Sequence, residues 1–246
     1  MAGHAPTFGT YLQTTTMHFG ILVFPGTNCD RDCHHVITQV LGHQATIVWH
    51  EENDLSPYDA VILPGGFAHG DYLRTGAIAR FSPVMDAVAE FARTGRPVLG
   101  ICNGFQILCE AGLLPGALIR NNGVHFICQT GYLRVEHNEN QFLHQADVGD
   151  VLRMPIRHGE GNYYADDQTL ARLEKSGQIL LRYADASGTV APDTNPNGSS
   201  NNIAGVMNED GNVFGLMPHP EAAMESLLGS EDGLVLFNGL ITPLLV

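Results

Sequence analysis

Val98-Leu99-Gly100-Ile101-Cys102-Asn103-Gly104-Phe105-Gln106-Ile107-Leu108 joins two kinds of apolar pattern. The first four residues form a short run opened by Pro97, which predicts a buried strand. The last four read as the first turn of a helix. Between them stands Gly-x-Cys-x-Gly, the pattern of a tight strand-to-helix turn with a nucleophile at its centre. Such a turn forces its central residue into strained dihedrals, and glycines two positions away on either side relieve crowding against neighbouring backbone. The Cys102 sulfur is then held at the carboxyl end of a strand, where open α/β sheets place their ligands. It also sits at a helix N-terminus, whose macrodipole and free N–H groups favour thiolate over thiol. The bland alternative is a buried cysteine packed as a small hydrophobe.

Upstream, Phe19–Phe24 reads as a buried strand ending at Pro25-Gly26, Ala45–Trp49 as a second and Asp59–Leu63 as a third. Asn28 or Asp30 is the expected cap of a helix running to about Leu41 and closed by Gly42. Ile78, Phe81, Met85, Val88 and Phe91 recur at helical spacing and predict one helix from Gly76 to Thr94. Continuous apolar strands alternating with amphipathic helices argue for the α/β class, with a mostly parallel central sheet covered on both faces. Downstream, Tyr132–Val135, Gln178–Tyr183, Ile203–Met207 and Val213–Leu216 read as strands. Few helices separate them, so some are antiparallel additions. A last helix is expected over about 231–240, and 191–202 as a long surface loop. One domain is expected over 17–246. Residues 1–16 are expected to be a disordered leader or a non-native extension, with Met17 as the natural start.

The 246 residues are 44% apolar and 15% charged, which suits a globular chain with a large core. Asp and Glu number 26 against 12 Lys and Arg, a formal charge of -14 that would repel phosphate backbones and anionic lipid. No nucleic-acid or membrane partner is therefore expected. No apolar run reaches the ~18 residues of a membrane span, and no signal peptide is seen. Five cysteines, an odd and widely spaced set, suit a reducing cytoplasm better than a secreted disulfide framework. Cys109 and Cys128 are expected in the core. Cys29, Cys33, His34 and His35 lack the distant second pair of a structural zinc site, so core packing is expected and no metal.

A cysteine nucleophile needs a base that is itself held in place. Met217-Pro218-His219-Pro220-Glu221 offers one. Each proline pushes the residue before it toward extended dihedrals, and alternate residues of an extended chain point to one side. His219 and Glu221 can then face one pocket, with the carboxylate orienting the ring. The competing reading is a proline-rich surface turn. Leu63-Pro64-Gly65-Gly66-Phe67 is a glycine pair after a strand. The N–H of Gly66 with that of Asn103 would form an oxyanion hole.

These segments resemble the class I, triad-type glutamine amidotransferases, whose order of Cys, His and Glu they share. Further stretches narrow the resemblance: Phe24–Asp30, Gly65–Arg74, His158–Tyr163 and Asn195–Ser199 are similar to the glutaminase subunits that serve an ATP-dependent synthetase of purine biosynthesis. The resemblance implies a flavodoxin-like three-layer fold. It implies that Cys102 attacks the side-chain amide of L-glutamine, that His219 shuttles protons and that Glu221 orients it. Gln106 would help to hold the substrate. Ammonia would pass through a protected tunnel to a large synthetase subunit that converts formylglycinamide ribonucleotide to the amidine. That subunit would carry ATP and Mg²⁺, with no cofactor on this chain and with a small bridging subunit as a further partner. His158 and Glu160 would carry a turn at the partner contact or tunnel mouth. Two positions depart from the pattern, His69 where tyrosine is expected and Ala222 where arginine is. Neither belongs to the triad, and both bear on local partner contacts. Two other readings keep the fold: an amidotransferase serving another synthase, and a non-catalytic relative using the elbow as a redox sensor.

Overall fold

The computed structural model describes residues 16–242. The expectation for 1–16 falls outside the described residues except at Thr16. In chain order the elements are β1 (His18–Val23), α1 (Asp30–His35), β2 (Gln44–Trp49), β3 (Ala60–Leu63), α2 (Pro83–Arg93), β4 (Val98–Ile101) and α3 (Asn103–Glu110). They continue as β5 (Ala117–Ile119), β6 (Ile127–Val135), β7 (Val151–His158), β8 (Asn162–Tyr164), α4 (Asp167–Lys175), β9 (Ile179–Ala184), β10 (Ile203–Met207), β11 (Val213–Leu216) and α5 (Leu234–Ile241).

Nine strands form one sheet in the order β2-β1-β3-β4-β11-β10-β9-β6-β7, and β5 pairs with β8 in a small second sheet. From β2 to β11 every pairing is parallel. From β11 outward to β7 every pairing is antiparallel. The two halves differ as their sequences do. β3 and β4 are buried at every residue, as strands covered on both faces must be. β6 and β7 are buried only at intervals, the pattern of an antiparallel margin with one wet face.

Several expectations needed correction. The helix expected from Gly76 starts at Pro83. Pro83 holds Ser82 extended, at φ -66° and ψ 142°, so 79–81 is a separate 3₁₀ turn. Phe81 consequently leaves the apolar face and lies exposed under the Arg80 guanidinium. α1 is capped by neither Asn28 nor Asp30: its cap is Cys29, and the chain widens into a π turn over Val36–Val40. Cys128 lies exposed on β6 and is no core residue. β7 went unread because Pro155 interrupts it. It is an edge strand, where a missing N–H costs no ladder bond. The loop 191–202 is less superficial than expected. Asn197 and Ser199 are buried, Asn197 donating to the Gly161 carbonyl at 2.7 Å and Ser199 Oγ accepting from Tyr163 N–H at 3.0 Å.

Candidate active site

Cys102 has φ 50° and ψ -104°, a conformation rare for any residue with a Cβ. The chain enters it from β4 and leaves it into α3. Both flanking glycines are required by contact. A Cβ on Gly104 would lie 1.9 Å from the Leu63 carbonyl oxygen, and one on Gly100 would lie 2.9 Å from Gly104 backbone. The elbow therefore presses β3, β4 and α3 together at the sheet's carboxyl edge. The Cys102 thiol, mostly buried, points to the Arg157 carbonyl at 3.7 Å.

The second element arrives from β11. His219 donates its backbone N–H to the Pro155 carbonyl at 2.8 Å, which seats it on β7. Its ring Nδ1 meets Glu221 Oε1 at 2.5 Å, with both side chains buried. The predicted pairing forms, but not from an extended chain: Pro220–Ala222 is a 3₁₀ turn. Burial alone would lower the imidazole pKa. The Glu221 carboxylate, then the nearby Cys102 sulfur, with Cys29 beside the ring, outweigh it and raise the pKa well above 6.5. The ring's Nε2 is buried and free of ordinary hydrogen bonds among the described residues. Cys102 and His219 line one cavity with Gly66, Phe126 and Arg157.

The Gly65-Gly66 loop hangs over this cavity. Phe67 N–H donates to Gly26, and Asn28 and Cys29 N–H to Gly65, while Gly66 N–H meets no backbone acceptor among the described residues. Gly66, at φ +151°, packs so closely on Thr27 that a Cβ would lie 2.7 Å from its Cα. The Asn103 side chain accepts from Ala68 N–H at 3.0 Å and so fastens this loop to the elbow. Gly66 and Asn103 are thereby brought to the same place.

Gln106 is tied at both ends of its amide. Nε2 donates to the Glu160 carbonyl at 2.6 Å, and Oε1 accepts from Asn103 Nδ2 at 2.9 Å. It braces the pocket wall. His158 and Glu160 line a side cavity with Cys102, Gln106 and Asp71, of about 150 Å³. That is about half the ~300 Å³ at which pockets for drug-sized ligands begin, a size in keeping with an amino acid.

Sequence reasoning missed three neighbours. Cys29, expected to pack in the core, has its Sγ 3.9 Å from His219 Nδ1. Ligand atoms of Cys29, His219 and Glu221 lie within 4.8 Å of one another and could hold a metal ion, but only by parting the His219–Glu221 bond. Arg157 and Asp71 also line the cavities. No local pattern marks them, because each arrives on an element whose register only the fold sets. His69 stacks edge-on against His50 with centroids 5.4 Å apart, and burial lowers its pKa.

Residues 16–231 match the family described as the CobB/CobQ-like glutamine amidotransferase domain. Phosphoribosylformylglycinamidine synthase subunit PurQ of Moorella thermoacetica is 55% identical over 225 residues, covering 92% of this chain and 95% of the relative. The chain belongs to the PurQ family. The family's subunit from Thermosynechococcus vestitus is 56% identical over 231 residues, 92% of this chain and 96% of its own. Among solved structures, a chain in the structure of PurLQS from Thermotoga maritima matches over 92% of this chain and 98% of its own, with 41% identity and a TM-score of 0.82. A putative GMP synthase subunit from Thermoplasma acidophilum, 16% identical with a TM-score of 0.59 and 92% of each chain covered, shares the fold.

Proposed function

We propose that this chain is the glutaminase subunit of phosphoribosylformylglycinamidine synthase. It hydrolyses L-glutamine and passes ammonia to an ATP-dependent synthetase subunit, which makes formylglycinamidine ribonucleotide from the formylglycinamide. One observation carries the reading: a strained Cys102 faces the same cavity as a buried His219–Glu221 pair.

Catalysis follows from charge and geometry. The sulfur adds to the glutamine Cδ while the imidazolium of His219, favoured by Glu221, stands ready with a proton. The N–H groups of Gly66 and Asn103 receive the oxyanion. His219 gives its proton to the departing nitrogen, ammonia leaves, and a glutamyl thioester remains on Cys102. Water then loses a proton to His219 as it adds to the thioester carbonyl. Collapse releases glutamate and frees the Cys102 sulfur, with His219 again protonated. Free ammonia at neutral pH is mostly protonated and no longer nucleophilic, so direct transfer through a closed tunnel preserves its reactivity.

ATP and Mg²⁺ belong to the synthetase subunit on this reading, and a small bridging subunit completes the complex. Family membership and the likeness to a PurLQS assembly support a multi-subunit partner. A cytoplasmic location is in keeping with five free cysteines. No described helix is long and apolar enough to cross a membrane.

The test is Cys102→Ala in the reconstituted complex. Glutamine-dependent synthesis should vanish while ammonia-dependent synthesis persists. Retained glutamine-dependent turnover would end the proposal.

A further inference from the structure

The geometry points to Asp71 and Glu160 as the site that receives the α-ammonium group of the substrate amino acid. This rests on the glutaminase reading and extends it from the amide end of glutamine to the other end of the molecule.

Both carboxylates line the side cavity that ends on Cys102. Asp71 makes no ion pair among the described residues. Asn103 Nδ2 donates to it at a long 3.4 Å. Glu160 accepts from Thr75 Oγ1 at 3.2 Å and lies 3.6 Å from the Arg120 guanidinium, which is 74% exposed and shared with water. Two carboxylates in a confined cavity repel one another. Burial and then Glu160 push Asp71 up to about 6. A small cation entering between them relieves both effects.

A neutral acceptor in the same cavity points the same way. His158 is 3% exposed, and its Nε2 has no hydrogen-bond partner among the described residues. Its tautomer is set from behind. Asn121 gives its Nδ2 protons to the His125 and His158 carbonyls, at 3.0 and 2.9 Å, so its Oδ1 is the acceptor facing His158 Nδ1 at 3.1 Å. Nδ1 therefore carries the proton and Nε2 a lone pair. Burial, then the His219 charge, hold this imidazole down at about 4, so it stays neutral at pH 7. The cavity thus offers two anions and a spare acceptor. A primary ammonium brings one positive charge and three N–H donors. Arg157, the cation lining this cavity, has no ion-pair partner among the described residues and supplies the charge that an α-carboxylate needs.

The backbone that presents Asp71 is also unusual. His69, Asp71 and Leu73 all take positive φ, at 53°, 53° and 72°. Non-glycine residues held this way cluster at ligand clamps. Here the strain turns Asp71 toward Asn103 on the elbow.

The experiment compares L-glutamine with glutaramate, which is glutamine without its α-amino group. Affinities are measured on the complex carrying Cys102→Ala, which binds without turnover. L-Glutamine should bind at least about tenfold tighter, a difference of about 1.4 kcal/mol. Adding Asp71→Asn or Glu160→Gln should bring L-glutamine down to the level of glutaramate, while glutaramate itself changes less than about twofold. Ammonia-dependent synthesis by the same complexes reports that they are assembled, and either substitution carries the test if the other fails to fold. The assignment is overturned if both ligands bind equally to the parent. It is also overturned if the preference survives both substitutions, or if both ligands weaken together. Failure of the glutaminase reading looks different, because Cys102→Ala would then retain glutamine-dependent turnover.

Discussion

Gly104→Ala tests how tightly the fold holds Cys102 at the elbow. The added methyl would lie 1.9 Å from the Leu63 carbonyl oxygen and 2.6 Å from its carbon, whereas ordinary contact begins near 3.4 Å. α3 and β3 must therefore part by about 1.5 Å, the difference between the first and last of those distances. The obstacle is backbone in a buried strand, so no side chain can swing aside. Overpacking usually costs about 1–3 kcal/mol, and this site belongs at the upper end. At about 2–4 °C per kcal/mol for a chain of this size, the melting temperature should fall by about 6–12 °C. Catalysis should suffer more, because Cys102 sits at the head of the displaced helix. A misplacement of about 1 Å costs on the order of 10²-fold in rate. The assay is glutamine-dependent against ammonia-dependent synthesis by the reconstituted complex, with thermal unfolding of the chain beside it. Only the glutamine-dependent rate should collapse. Gly112→Ala is the control. It has φ +70° and nothing within 4 Å of the new methyl, so it should lose about 1–2 kcal/mol to backbone strain and keep its activity. The close-packed elbow is refuted if Gly104→Ala melts within about 2 °C of the parent and keeps glutamine turnover within about threefold.

Two more predictions concern buried titratable groups. Glu221→Gln removes the main charge that raises His219. Glutamine-dependent kcat should fall by about 10³–10⁴-fold with the ammonia-dependent rate intact, and a loss under tenfold would show that Glu221 does not orient the base. His158 is held neutral down to about pH 4, against an ordinary 6.5. As pH falls through that window the unfolded chain takes a proton that the folded chain refuses, so stability drains away, by about 3 kcal/mol in all. Asp71 acts oppositely, since its folded pKa of about 6 exceeds 3.8 and the folded chain gains protons first. The measurement is therefore the difference in unfolding free energy between His158→Asn and the parent at pH 7 and pH 4.5. The variant should lose less on acidification, and parallel losses would contradict a buried neutral imidazole.

The parallel half of the sheet and the elbow were legible because their causes are local. Strands buried on both faces are apolar at every residue, and a turn that presses three backbones together demands glycine at fixed offsets. The antiparallel half was not. β7 carries Pro155 and alternates weakly, and only its place at the sheet edge makes that proline harmless. α4 was missed although Asp166 caps it by accepting from Thr169 N–H at 2.7 Å. Its buried contribution is Leu173 alone, too little for an apolar pattern. The helix expected from Gly76 failed for another local reason, the constraint that Pro83 puts on Ser82.

Short-range chemistry thus pointed to Cys102, His219 and Glu221 as candidates, since the strain and glycines of the elbow and the close spacing of His219 and Glu221 act within a few residues and leave their mark on the chain. What surrounds them came from tertiary packing. Cys29 reaches His219 across 190 positions because Asn28 and Cys29 dock on the Gly65 carbonyl. Asp71 and Glu160, 89 positions apart, meet because Gln106 and Thr75 bridge from the elbow side to the turn after β7. Side-chain neighbours of that kind depend on sheet order and register, which are settled by the burial of the whole core and leave no spacing in the sequence to read.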